Sequence, residues 1–209
     1  MELIKHLNWR YATKKFDPGK KISSEELEEL KEVILLSASS YGLQWYKVLI
    51  IENQSIKEKL FPYAWNQQQV LDCSHLVIIC NYTSITNDDI DTYITQVAGT
   101  QQVNRSTLAG YGDMIKTKLH EKTAAETTSW LKSQTYIALA NLIAGCAELR
   151  IDACPMEGFQ AEKFNEILRL NEQGLNASVI AAIGYRHSDD PASTRKKFRK
   201  PKEELFVQI

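Results

Sequence analysis

The sequence predicts an α+β fold with a small sheet set among helices. Three observations carry this. Short apolar runs rich in β-formers recur without alternation, helical patterns stand between them, and one long stretch is apolar on nearly every side. At 209 residues, with 44% apolar and 24% charged residues, the chain can bury one sizeable core and reads as a single domain over residues 1–209.

In chain order, "RYATKKF" (Arg10–Phe16) gathers Arg10, Lys14 and Lys15 just ahead of "DPG". Read locally, it is a solvated helix end, where cations oppose the negative end of the macrodipole. "KKISSEELEELKEVILLSA" starts a helix. Ser23 and Glu26 form a capping box, Ile22 can staple onto Leu27, and Leu27, Leu30 and Ile34 recur at helical spacing. "LSASSYGLQ" (Leu36–Gln44) is a turn of small and hydroxyl residues. "YKVLIIE" (Tyr46–Glu52), "HLVIICN" (His75–Asn81) and "ASVIAAIGY" (Ala177–Tyr185) are strands, and their continuous apolarity predicts cover on both faces. "SIKEKLFPYA" is a short helix.

Residues 87–120 are polar, with Gly99, Gly110 and Gly112 as interruptions, and read as a helical excursion or lid. Ala125–Ile151 is a long helix, apolar almost all round from Ile137 to Leu149, as a core or intersubunit helix should be. "ACPMEGF" (Ala153–Phe159) reads as a turn fixed by Pro155 and Gly158, whose backbone can come close to something flat. After "GYRHSDDP" the chain turns cationic, with Arg195, Lys196, Lys197, Arg199, Lys200 and Lys202, and ends in the strand-like "LFVQI". Residues 188–209 therefore read as an arm leaving the body.

Composition removes several function classes. A net charge of −1 supplies no global field for nucleic acid or membrane. No apolar run is long enough to span a bilayer, and the first residues lack a secretory pattern, so a cytoplasmic protein is expected. Cys73, Cys80, Cys146 and Cys154 form no C-x-x-C and are expected to be buried and reduced. His75, at the start of a strand, is expected to be a satisfied structural residue, and no metal motif occurs. The glycine-rich dinucleotide and phosphate loops and the nucleophile elbow are all missing. Any phosphate contact must then come from side chains, for which Arg10/Lys14 and Lys197/Arg199 are on offer. A Lys-x-Arg on a non-helical segment points both groups the same way.

Taken together and in order, "RYATKKF", "SASSYGLQ", "WNQQQVLDCSHLVI", "CPMEGF" and "KFRKP" resemble the nitroreductase family, the FMN-dependent oxidoreductases that use NADH or NADPH. The resemblance covers essentially the whole chain. It implies a small central mixed sheet surrounded by helices, and a homodimer whose C-terminal arm reaches the partner subunit. Arg10, Lys197 and Arg199 would hold the FMN phosphate, beside Tyr11 and Ala12. Lys14 would face the N1/O2 side of the ring, where a fixed cation favours the reduced, negatively charged state. Asn66 would bond the pyrimidine edge, near Gln69. Pro155, Met156, Glu157 and Gly158 would lie against the ring with a backbone N–H at N5. Ser39 and Ser40 would come from the partner, and Gly42 is a further cofactor-binding candidate.

The activity implied is hydride transfer from NAD(P)H through flavin N5 to nitroaromatics, quinones or similar acceptors in ping-pong order. No catalytic side chain is implied beyond the flavin itself, because the cofactor carries the chemistry. A specialised branch (dihydropteridine reductase, dehalogenase or flavin-destroying synthase) and a flavin-binding protein without efficient turnover are the alternatives. The chain departs from the family pattern at Ala12, where serine is common, at Gln44-Trp45-Tyr46, where Q-P-W is common, and at Gln69, where some members carry a second lysine.

Overall fold

A computed structural model describes all of residues 1–209. Its sheet has four strands: β1 (Tyr46–Ile51), β2 (His75–Tyr82), β3 (Asp152–Met156) and β4 (Leu175–Gly184), in the order β1-β2-β4-β3. The central strands β2 and β4 are the continuous apolar runs, and both are buried almost throughout. Their alternate residues divide between two cores. Val77, Ile79, Val179, Ala181 and Ile183 face α2 (Ser24–Leu35) and α7 (Ala124–Glu148). Leu76, Ile78, Cys154, Ile180 and Ala182 face Leu60 of α3 (Gln54–Leu60), Val70 of α4 (Gln69–Asp72) and Phe164 of α8 (Ala161–Ile167).

Local chemistry starts the helices where the sequence says it should. Ser23 and Glu26 close the capping box of α2, and Thr123 and Glu126 close another on α7. The two helices pack closely because α7 presents Gly145, where an added Cβ would stand 3.0 Å from Val33 Cγ1. His75 is buried, with Nδ1 3.0 Å from Ser74 Oγ, and burial lowers its pKa. All four cysteines are free and buried.

Several expectations are corrected. Every strand pairing is antiparallel, so the sheet proper is not mixed; the one parallel contact is a bridge between Ala12 and Ala153. β1 is an edge strand with most residues half-exposed, because its outer edge has no neighbour within the chain. "ACPMEGF" is not simply a turn. Ala153 to Met156 complete β3, and the chain turns only after them. Pro155 is tolerated there because β3 is an edge strand whose missing N–H costs no pairing inside the sheet. The glycines do not break the 87–120 region. Gly99 lies inside α5 (Asn87–Gln101), and Gly110 and Gly112 lie inside α6 (Ala109–His120). The break comes instead at Gln102, at φ 55°. Gly112 lets α6 seat against Ile94, whose Cγ1 would stand 3.0 Å from an added Cβ. On α7, Ile137 is 39% exposed, so the helix is not apolar on a wholly buried surface within one chain. "LFVQI" forms no strand: the chain makes the short helix α9 (Lys202–Leu205) and then runs exposed to Ile209.

Arg10–Phe16 is not part of a helix. α1 (Glu2–Trp9) ends with Arg10 in an extended conformation, and the segment runs alongside β3 through the Ala12–Ala153 bridge to a second bridge between Phe16 and Arg186. Leu142 on α7 is fully buried in the core beneath β2 and β4. Replacing it with alanine should destabilise the chain by about 2–5 kcal/mol, the usual cost of a leucine-sized core cavity. Urea unfolding of both proteins, with an unchanged m-value, checks this.

Candidate functional site

The extended segment after α1 is fixed by two buried carboxylates, one on each side. Asp152, at the start of β3, accepts from Thr13 Oγ1 at 3.3 Å, and from Arg186 N and Nε, each at 2.8 Å. Asp190 accepts from Tyr11 OH at 2.9 Å, Lys14 N at 3.1 Å and Ala192 N at 3.0 Å. Burial alone would raise the Asp190 carboxyl, but the N–H groups of Ala192, Lys14 and Lys15, with the Tyr11 phenol, outweigh it and hold the pKa below the usual range. The Tyr11 phenol is pushed up to about 12, first by burial and then by its bond to Asp190. Arg186 stacks between two rings, 4.4 Å from the Trp9 centroid and 4.5 Å from that of Tyr11.

Between those rings in sequence stands Arg10. Its Nε is buried without a hydrogen-bond partner. Burial, and then the charge of Arg199, lowers its pKa; Lys197 is lowered by burial and then by Arg10, Arg199 and Arg186. Four cations thus share one neighbourhood, and the only ion pair among them is Arg186 with Asp152. Lys197 and Arg199 do not point the same way as a free pair. The Lys197 ammonium donates to Leu7 O at 3.0 Å and to Asn8 O, capping α1, while Arg199 Nη1 bonds its neighbour's Phe198 O at 2.6 Å. A cation at the last carbonyls of a helix is favoured there.

Along the same edge of the sheet, Lys14 sends its Nζ to 3.9 Å from Cys154 Sγ. Burial raises the Cys154 thiol, and Lys14 and Gln69 oppose that rise. Gln69 is itself buried, at the start of α4. The turn after β3 is held from several sides. Tyr136 OH on α7 donates to Glu157 Oε1, and Gln67 Nε2 donates to Gly158 O at 2.9 Å. Trp65 lies on Gly158, where an added Cβ would stand 2.6 Å from the indole Cε3. Trp65 and Asn66 both have positive φ, 53° and 51°, a strained pair of conformations that Asn tolerates and Trp rarely adopts. Trp65 is 70% exposed and Asn66 is exposed as well.

The residues singled out from sequence are therefore brought together only in part. Arg10, Tyr11, Lys14, Lys197 and Arg199 converge with the β3 end, and Gln69 approaches Lys14 at Cys154. Met156 turns its side chain into the core, so only its backbone is on offer; Pro155 is half-buried beside it. Ala12, partly buried, packs against the same core and bridges to Ala153. Ser39, Ser40 and Gly42 do not join the group. Ser39 Oγ accepts from Gln44 N at 2.9 Å, Ser40 N donates to Gln134 Oε1 at 2.8 Å, and Gly42 faces the Tyr93 hydroxyl.

Sequence reasoning missed Trp65, Gln67, Tyr136, Cys154, Asp152, Arg186 and Asp190 as members of the site. For the last two a signal was present: "GYRHSDDP" puts an arginine and two acids directly after a strand buried throughout.

The model of the Nitroreductase family matches residues 7–185. A Staphylococcus haemolyticus protein assigned as an NAD(P)H nitroreductase is 37% identical, over 99% of this chain and 97% of its own length. The major NAD(P)H-flavin oxidoreductase of Aliivibrio fischeri is 33% identical, over 98% of this chain and 97% of its own. A protein of Exiguobacterium sibiricum assigned as a nitroreductase, solved in complex with FMN, superposes with a TM-score of 0.87 at 17% identity, covering 100% of this chain and 98% of its own.

Gly158→Ala should push the Trp65 ring off the turn, because the indole is the movable partner of a 2.6 Å contact. The expected outcome is a changed tryptophan emission with little loss of stability. Unchanged emission would mean that the ring does not rest on Gly158.

Proposed function

The chain belongs to the nitroreductase family, and from that premise we propose that it is an FMN-dependent oxidoreductase using NADH or NADPH as its reductant. One observation carries the cofactor assignment. A buried guanidinium nitrogen of Arg10 lacks a partner, beside Arg199 and Lys197 and with no acid paired to any of the three. Clustered, partly desolvated cations are stable beside an anion and repel one another without one. A terminal phosphate satisfies both the orphaned donor and the excess charge.

When bound, FMN supplies the reversible two-electron chemistry that no side chain here possesses. The chain's own residues bind and orient. Arg10 and Arg199 take the phosphate, while Lys197 ties the arm to α1 and adds its charge. Lys14 presents a fixed cation next to Gln69 and Cys154, where charge on a reduced pyrimidine ring is stabilised. Asn66 offers an amide from the adjoining loop. The Pro155–Gly158 backbone forms the flat floor, held by Gln67 and Tyr136. Loaded with FMN, the site would relay reducing equivalents from NAD(P)H to nitroaromatic, quinone or similar acceptors in ping-pong order. The whole of 1–209 acts as one domain in this reading, with α5–α6 as its helical excursion.

The reading includes a homodimer. The open outer edge of β1 runs beside a cavity of about 370 Å³, lined by Ile34, Leu35, Tyr46, Val48 and Ile50. Leu35 and Leu36 are 61% and 74% exposed, and Phe206 and Val207 of the arm 68% and 83%. An unpaired strand edge with apolar surroundings calls for cover, and a second copy carries a matching apolar arm. Ser39, Ser40 and Gly42, displaced from the site in one chain, would complete the partner's site.

The test is anaerobic addition of NADH or NADPH to the FMN-loaded protein. Bleaching of the flavin band, with recovery on adding a quinone or nitroaromatic, is the expected result; a yellow protein that never bleaches would sink the reductase reading. Arg10→Ala should weaken FMN binding by about 1.5–3 kcal/mol, as expected for a bond between charged groups. Riboflavin, which lacks the phosphate, should bind almost unchanged, and equal losses for both would return Arg10 to a structural role.

A further inference from the structure

The stretch "GYRHSDDP" supplies a carboxylate that the reading above leaves without a role. Asp190 is 2% exposed and pairs with no cation. An ionised carboxylate buried in this way is costly unless other donors satisfy it. Here the donors are specific. Oδ2 accepts from Tyr11 OH at 2.9 Å and from Lys14 N at 3.1 Å, and Oδ1 accepts from Ala192 N at 3.0 Å. Two of the three belong to residues assigned to the flavin site. The Asp190 backbone is fixed in turn, with its N–H on His187 O at 3.0 Å, and His187 N donates to Lys15 O at 2.9 Å. The 187–192 turn thus holds the backbone of Lys14–Lys15 from both its N–H and its C=O side.

The geometry points to Asp190 as a positioning residue for the flavin site, one that sets the direction in which Lys14 leaves the chain and holds the Tyr11 ring. The inference rests on the flavin reading given above. Three features support it. The acceptor is one oxygen shared by Tyr11 and Lys14, so the two cannot be oriented independently. Lys14 Nζ makes no ion pair and stands only against Cys154 at 3.9 Å, so its direction depends on where its backbone is held. The Tyr11 ring, gripped at its hydroxyl, forms one side of the stack that confines Arg186 between Trp9 and Tyr11, on either side of Arg10. Asparagine cannot replace the carboxylate here. Both oxygens already accept N–H or O–H donors, and an amide nitrogen in either place would face a donor with a donor.

The experiment is a double-mutant cycle on flavin affinity, using Asp190→Asn, Lys14→Met and Tyr11→Phe in the full-length chain. Asp190→Asn should raise the dissociation constant of FMN by at least about tenfold in the wild-type background, and by less than about twofold in the Lys14→Met/Tyr11→Phe background. Tyr11→Phe, which removes a single bond to Asp190 and spares the fold, should cost about threefold alone and nothing further once Asp190 is asparagine. The midpoint potential of the bound flavin should move in Asp190→Asn and stay put in Asp190→Asn/Lys14→Met relative to Lys14→Met, a readout that a purely structural aspartate would not produce. Equal losses in both backgrounds overturn this inference and leave the flavin reading intact. A wild-type chain that takes up neither FMN nor riboflavin overturns the flavin reading and this inference with it.

Discussion

Every feature of the site depends on how the β3 edge of the sheet is closed. An edge strand exposes unpaired backbone groups, and this chain covers β3 with its own residues Arg10–Phe16 instead of another strand. The pairing is brief: a parallel bridge at Ala12–Ala153 and a hydrogen bond from Thr13 N to Ala153 O at 3.4 Å. Two contacts of this kind are weak support for a segment bearing three cations. Side chains complete the attachment. Asp152 takes Thr13 from one side and Asp190 takes Tyr11 and Lys14 from the other, while Phe16, 1% exposed, anchors the far end in the core. The site exists where it does because the residues before β3's covering segment and after β3's end are forced into register.

The charges follow from that attachment. The acids are buried and spend their lone pairs on backbone N–H groups, Tyr11, Thr13 and Arg186. They are therefore unavailable to Arg10, Lys197 and Arg199. Burial, and then the charges of their neighbours, lowers the pKa of Arg10 and of Lys197. A fold that spends its buried acids on other donors and leaves three clustered cations without one stores an unmet demand for an anion. The demand is local: the chain as a whole carries a net charge of only −1.

Much of this was legible in sequence, and the divisions have physical causes. Periodicity found β2, β4, α2 and α7 because each buries a full face or surface, and burial writes itself into composition. It misread 153–156 as a turn because Pro155 and Gly158 are strong turn signals, and a five-residue edge strand is too short to outweigh them. The capping box of α2 was read correctly because Ser23 and Glu26 are near neighbours; the one on α7 was not read. Asp190 and Asp152 could not be found that way. Their donors lie 176 and 139 residues away in the chain, at Lys14 and Thr13, and the one local sign, the place of Asp190 directly after a buried strand, does not say which residues it will hold. Blocks taken in order pointed to the family, but not to which of their residues touch.

The buried carboxylates also bear on how a chain with Gln69 in place of a lysine manages its site. With a neutral amide there, Lys14 is the ammonium nearest Cys154. A lone cation acts only if its position is held, because the long lysine stem otherwise spreads the charge over many rotamers. Asp190 holds the Lys14 backbone, and the buried Gln69 and Cys154 offer a small polar surface against which the ammonium comes to rest. Cys154 suits that position. Its thiol is kept protonated by burial, so it makes weak contact with the lysine and withdraws none of its charge. A carboxylate at 154 would neutralise Lys14, and a second lysine at 69 would repel it. The pairing of a neutral amide with a neutral thiol leaves the full charge of Lys14 facing outward from the β3 edge, in the direction its backbone anchor sets.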